Sequence, residues 1–158
     1  MTYETKSALP HAPSALGRRR RILVVDDEPA ARILAQRLFS EAGFEVVTTS
    51  SGFDCLKEFR KQPRRFDLVL LDLSMPFMDG EETFRRLRGI DPAVVVLLST
   101  GFLGQAQNRV DRMLAGGLAG VIRKPHRPDE PLAQVHAILE HVKMSRAGCA
   151  AGELSSSF

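Results

Sequence analysis

The stretch LVLLDLSMPFMDG, residues 68–80, decides the fold. Its first four residues are aliphatic without polar alternation, the pattern of a strand covered on both faces, and such strands belong to parallel sheets. The run ends on a carboxylate, Asp72, and a turn-rich segment then leads into a helix expected from about Gly80 to Arg88. An acid where a strand leaves a core either caps the next turn or belongs to a site.

The same alternation extends in both directions. RILVVDD (21–27) reads as a strand, and PAARILAQRLFSEAG (29–43) as a helix that opens on Pro29, carries apolar Ile33, Leu34, Leu38 and Phe39, and stops at Gly43. FEVVTTS (44–50), a helix over Gly52–Lys61, AVVVLLST (93–100), a helix around Gln105–Ala115, AGVIRK (119–124) and a helix from about Pro128 to Lys143 complete five strands and five helices. The expected fold class is α/β, a doubly wound five-stranded parallel sheet of the flavodoxin-like (βα)5 type. Ten elements are too few to close a (β/α)8 barrel.

A chain of 158 residues, 44% hydrophobic and 26% charged, suits one globular domain. The longest apolar run, Ala93–Leu98, falls far short of the roughly 20 residues of a spanning helix, so no membrane association is expected. MTYETKSALPHAPSALGRRRR lacks the continuous apolar segment of a secretory signal, which points to the cytoplasm. Cys55 and Cys149 have no partner spacing and read as reduced thiols. The pI of about 9.2 invites a nucleic-acid reading. However, the excess charge lies in residues 1–21, where Lys6 and Arg18 to Arg21 face only Glu4. That run reads as a solvated leader, which argues against nucleic acid as a partner. Residues 1–20 are expected to be a disordered basic tail and 144–158 a flexible tail.

In an open parallel sheet, ligands bind beyond the carboxyl ends of the strands. Here those ends carry Asp26 and Asp27, then Asp72, then Ser99 and Thr100, then Lys124 before Pro125. Three carboxylates held together repel one another, and a divalent cation removes the conflict. Oxygen ligands without His or Cys suit Mg²⁺, which retains waters and takes a phosphate oxygen. Lys124 then supplies a mobile cation for that phosphate and Thr100 a donor, while Asp72 is the candidate nucleophile toward phosphorus. Capping alone explains Asp26, and turn chemistry alone explains Thr100 before Gly101. Neither explains a Lys and a Thr reaching the same edge from two other strands. A cis Lys124–Pro125 bond would aim Lys124 inward.

From about Arg21 to Lys143 the chain resembles the receiver domain of two-component response regulators. The marks are, in order, LVVDDEPAAR, LVLLDLSMPFMDGEE, VVVLLSTGF and GLAGVIRKPHRP. STGF, GLAGVIRKP and PFMDGEETF are most similar to the receivers of hybrid sensor histidine kinases. The resemblance implies a receiver domain over 21–143, with Asp72 accepting a phosphoryl group from a sensor histidine kinase or a histidine phosphotransfer protein. It implies Mg²⁺ bound by Asp27, Asp72 and the backbone carbonyl of Ser74, with Asp26 acting through water. Thr100 and Lys124 would contact the phosphoryl group, and Met75, Pro76, Asp79 and Gly80 would shape the loop. Two positions depart from the family pattern: Val121 stands at the usual aromatic switch, and His126 where Phe or Tyr is frequent.

No kinase or output domain is visible in this sequence, so the expected role is a single-domain phosphoacceptor that signals through protein contacts, with a homodimer left open. A relay intermediate and a phosphate sink are the alternatives. In each case the chain is a phosphoacceptor that assists its own phosphorylation and dephosphorylation rather than an enzyme acting on a separate substrate. A haloacid dehalogenase-type phosphatase would need a second Asp two positions after the nucleophile, where Ser74 stands. No glycine-rich phosphate-binding motif supports a nucleotide module.

Overall fold

A computed structural model describes residues 17–152 except 102, 103, 125, 126 and 128. Five strands, β1 (Arg21–Val25), β2 (Glu45–Thr49), β3 (Leu68–Asp72), β4 (Val96–Thr100) and β5 (Gly120–Arg123), form one sheet in the order β2-β1-β3-β4-β5. Every pairing is parallel. The helices α1 (Pro29–Glu41), α2 (Gly52–Lys61), α3 (Gly80–Ile90), α4 (Gln107–Ala115) and α5 (Asp129–Gly152) alternate with the strands, and a short 3₁₀ turn covers Pro63–Arg65. The expected doubly wound α/β architecture is the one observed.

β3 and β4 are buried at every position, which is why their sequences run aliphatic without alternation. One core joins Leu23, Val69 and Leu71 to Leu56, Phe59, Phe84 and Met113, beneath α2, α3 and α4. The opposite face buries Ile22, Val24, Leu68 and Leu70 with Phe39, Val135 and Leu139 of α1 and α5. The sheet order reverses at β1, so the carboxyl ends of β1 and β3 lie side by side.

Two expectations change, and α1 shows a feature that the sequence left open. The apolar stripe of α1 is not wholly buried: Phe39 is, but Ile33 and Leu34 remain 67% and 54% exposed. Helical periodicity shows that a face is apolar without showing what covers it. The last helix runs to Gly152 rather than ending near Lys143, because MSRAGCAAG contains no proline and mostly strong helix formers. Part of the arginine run is also paired: Arg18 with Asp67 at 3.1 Å, Arg20 with Glu140 at 3.1 Å and Arg21 with Glu45 at 2.9 Å. The Lys124–Pro125 peptide bond and His126 involve residues outside the described set.

Candidate phosphoryl-acceptor site

The registers bring the expected residues to one edge. Val25 of β1 pairs with Leu71, Asp72 with Ser99, and Thr100 with Arg123, so Asp26, Asp72, Thr100 and Lys124 all sit where their strands end. Carboxylate oxygens of Asp26, Asp27 and Asp72 lie within 4.8 Å of one another. Asp26 and Asp72 are buried and Asp27 is exposed, so the cluster opens to solvent on one side. Such a donor set, all oxygen and partly open, fits a small hard cation that keeps some of its waters.

Lys124 bridges the two buried acids. Its Nζ donates to Asp26 Oδ2 at 2.5 Å and to Asp72 Oδ1 at 3.5 Å. Burial pushes the Asp72 carboxyl up, Lys124 pulls it down, and the neighbouring Asp26 and Asp27 push it up again, leaving it at about 6. Lys124 is held above its ordinary value: burial opposes its charge, but the hydrogen bond to Asp26 and the charges of Asp72 and Asp26 outweigh burial. Asp26 is fixed further, since its Oδ1 accepts from the Glu28 amide at 3.0 Å and its carbonyl accepts from Arg32 Nη1 at 2.7 Å.

The loop after Asp72 is folded tightly. Gly80 N–H donates to the Leu73 carbonyl at 2.9 Å, and a Cβ at Gly80 would lie 2.5 Å from the Asp72 carbonyl oxygen, so only glycine fits there. Met75 and Met78 are buried and tie the loop down. Phe77 between them is 99% exposed and has φ of 66°, in a turn closed by a Met78 N–H to Pro76 carbonyl bond of 2.8 Å. Asp79 ends the loop and caps α3, its Oδ1 accepting from Glu82 N–H at 2.9 Å.

Ser74 is exposed on the same loop and Thr100 is buried at the edge, so every residue expected at the site lies on one rim. Three features were not foreseen: the Arg32 bond to Asp26, the strained exposed Phe77, and an ion-pair bridge from Arg109 of α4 to Asp79 and Glu81. Only the position of Arg32, close after the acidic pair, offered a sequence signal. A cleft of about 350 Å³ runs from Asp26, Asp72 and Lys124 along Ala30, Ala31 and Leu34 of α1 to Pro131 of α5.

The profile of the response regulator receiver domain matches residues 22–136. Among curated proteins, the transcriptional regulatory protein ZraR of Escherichia coli K12 is 34% identical over 120 residues, 76% of this chain and 26% of that one. ZraR of Klebsiella oxytoca is 30% identical over 131 residues, 83% of this chain and 29% of that one. The chain thus spans little more than a quarter of these relatives. Among solved structures, a response regulator receiver domain protein from Clostridium thermocellum aligns with a TM-score of 0.72 at 28% identity, covering 79% of this chain and 98% of that one. Vibrio cholerae CheY4 aligns with a TM-score of 0.68 at 26% identity, covering 77% and 99%. With its sheet order, its acidic edge and a profile match over most of its length, the chain belongs to the response regulator receiver family.

Proposed function

We propose that this protein accepts a phosphoryl group on Asp72 from a phosphohistidine of a sensor histidine kinase or phosphotransfer protein, and signals through protein contacts. The observation that carries the reading is the meeting of three carboxylates, a lysine and a buried threonine at the end of a rigid strand. Aspartyl phosphorylation is characteristic of the family.

An oxygen of Asp72 attacks phosphorus as the P–N bond breaks, and the electron pair leaves with the imidazole nitrogen, which takes up a proton. The new P–O bond makes an acyl phosphate. Strand β3, buried throughout, holds Asp72 still, so the chain contributes mainly orientation. Lys124 is within reach of Asp72 and offers its charge to the incoming phosphoryl oxygens, and Thr100 offers a hydroxyl. Asp26, Asp27, Asp72 and the Ser74 carbonyl would hold Mg²⁺, which when bound neutralises phosphoryl charge. Leu34, exposed on α1 and lining the cleft, with Ile33 exposed next to it in the helix, supplies an apolar surface on which a protein donor can rest.

Incubation with Mg²⁺ and acetyl phosphate, followed by intact mass spectrometry, tests the proposal. One labile phosphoryl adduct is expected, absent in Asp72→Asn; an adduct that persists in that variant overturns the assignment.

A further inference from the structure

The chain passes from Asp72 at the end of β3 to Asp79, where α3 starts, and Thr100 at the end of β4 precedes α4, which starts at Gln107. The first turns of these helices are joined by charge. Arg109 Nη2 donates to Asp79 Oδ2 at 2.6 Å and its Nε to Glu81 Oε2 at 2.7 Å, while Arg112 Nη2 reaches Glu81 Oε1 at 3.1 Å. Arg109 thus holds two carboxylates from one guanidinium, a fork that Lys cannot reproduce. Asp79 serves both sides of the joint, one oxygen capping α3 and the other taking Arg109.

The rest of the α3–α4 contact is apolar and lies further along α4. Val110 and Met113 are buried with Phe84 in one core, and a Cβ at Gly116 would lie 3.7 Å from the Phe84 ring. Packing thus holds α4 from Ala106 and Val110 onward, and Arg109 adds a charged tie at its first turn. Val121, at the usual position of an aromatic switch, is half-buried against the same core and offers no ring to link β5 to the Thr100 loop.

We propose that Arg109 is a positioning residue for phosphoryl acceptance: by bridging Asp79 and Glu81 it ties the first turn of α4, which follows Thr100, to the start of α3, which closes the loop that follows Asp72. The inference rests on Asp72 being the acceptor. The hydrogen bond to Arg109 holds Glu81 below its ordinary range and Glu81 in turn holds Arg109 above its own, as a formed bridge requires. A lone half-exposed ion pair is worth little, but a tie between the starts of the two helices that follow Asp72 and Thr100 acts on orientation, to which group transfer is steeply sensitive.

The test is the rate of Asp72 phosphorylation by acetyl phosphate in Arg109→Gln, with Mg²⁺ affinity and amide exchange measured on the same samples. The rate is expected to fall about fivefold, by loss of orientation, while Mg²⁺ affinity stays within about twofold. Exchange should rise in both 80–83 and 108–111. Arg109→Lys should stay slow because it holds only one carboxylate. Arg112→Gln, which removes one outer contact to Glu81 and leaves both Arg109 contacts in place, should change the rate by less than about twofold. A rate in Arg109→Gln equal to or above that of the unaltered protein overturns the brace, even if exchange in α4 rises. If the unaltered protein takes up no phosphoryl group, the reading of Asp72 fails and the brace with it.

Discussion

Lys124 is closer to Asp26 than to Asp72: its ammonium lies 2.5 Å from the first carboxylate and 3.5 Å from the second. The ammonium therefore rests on the acid that the proposed reaction does not consume, leaving Asp72 the less neutralised of the two. Replacing Lys124 by Met leaves the acids unpaired in a half-buried place. Stability at pH 7.5 in EDTA should fall by about 2 kcal/mol, less than for a fully buried pair because Lys124 is partly solvated. Urea unfolding measures this, and Mg²⁺ should narrow the deficit. Acetyl phosphate labelling should drop at least about tenfold through loss of a charge at the phosphoryl group.

The Asp72 carboxyl, raised from 3.8 to about 6, makes stability depend on pH. Between these values the folded protein binds the proton more tightly than the unfolded chain, so stability is highest below about pH 4 on this account and falls as pH rises through 6. The loss is about 2–3 kcal/mol in metal-free buffer. Asp72→Asn removes it: that variant should be the more stable by roughly this amount at pH 7.5 and nearly equal at pH 4. Thermal melts across the range check the sign.

Gly80→Ala should cost about 2–4 kcal/mol, since its Cβ would lie 2.5 Å from the Asp72 carbonyl oxygen and 2.7 Å from Leu73 Cα, backbone atoms that cannot turn aside. Gly89→Ala, in the same helix with open space around it, should instead gain up to about 1 kcal/mol. The two variants together separate crowding from helix propensity in one denaturation series.

Phe77→Gly should be stabilising. The ring is fully solvated, so little burial is lost, and glycine accepts the positive φ at no steric cost. Relief of strain of about 1–2 kcal/mol, offset by greater freedom in the unfolded chain, leaves a gain of up to about 1 kcal/mol and a melting temperature a few degrees higher.

The strands and the edge residues were legible because each is a local signal. Uninterrupted aliphatic runs such as LVLL demand burial on both faces, and an acid or lysine at the end of such a run has only the carboxyl edge to occupy. The helix expected around Gly52 to Lys61 is found there as well. Contacts between distant segments were not readable. Arg109 meets Asp79 across 30 positions; Asp79 reads in sequence only as part of the loop after Asp72, and nothing in the sequence sets Arg109 apart from an ordinary surface charge. Ile33 and Leu34 fit an apolar stripe whose cover the sequence does not name. Phe77 hides a left-handed backbone that a glycine would have announced.

The paired arginines bear on how the amino edge is held. Arg18 grips Asp67 just before β3, Arg20 grips Glu140 on α5 and Arg21 grips Glu45 on β2. These are three stitches along one short thread, reaching the residue before β3, the middle of α5 and the first residue of β2. Charge that looked like bait for a polyanion instead fastens the edge opposite the site. A cut on the N-terminal side of Arg18 would spare all three stitches, whereas one after Arg20 would sever two.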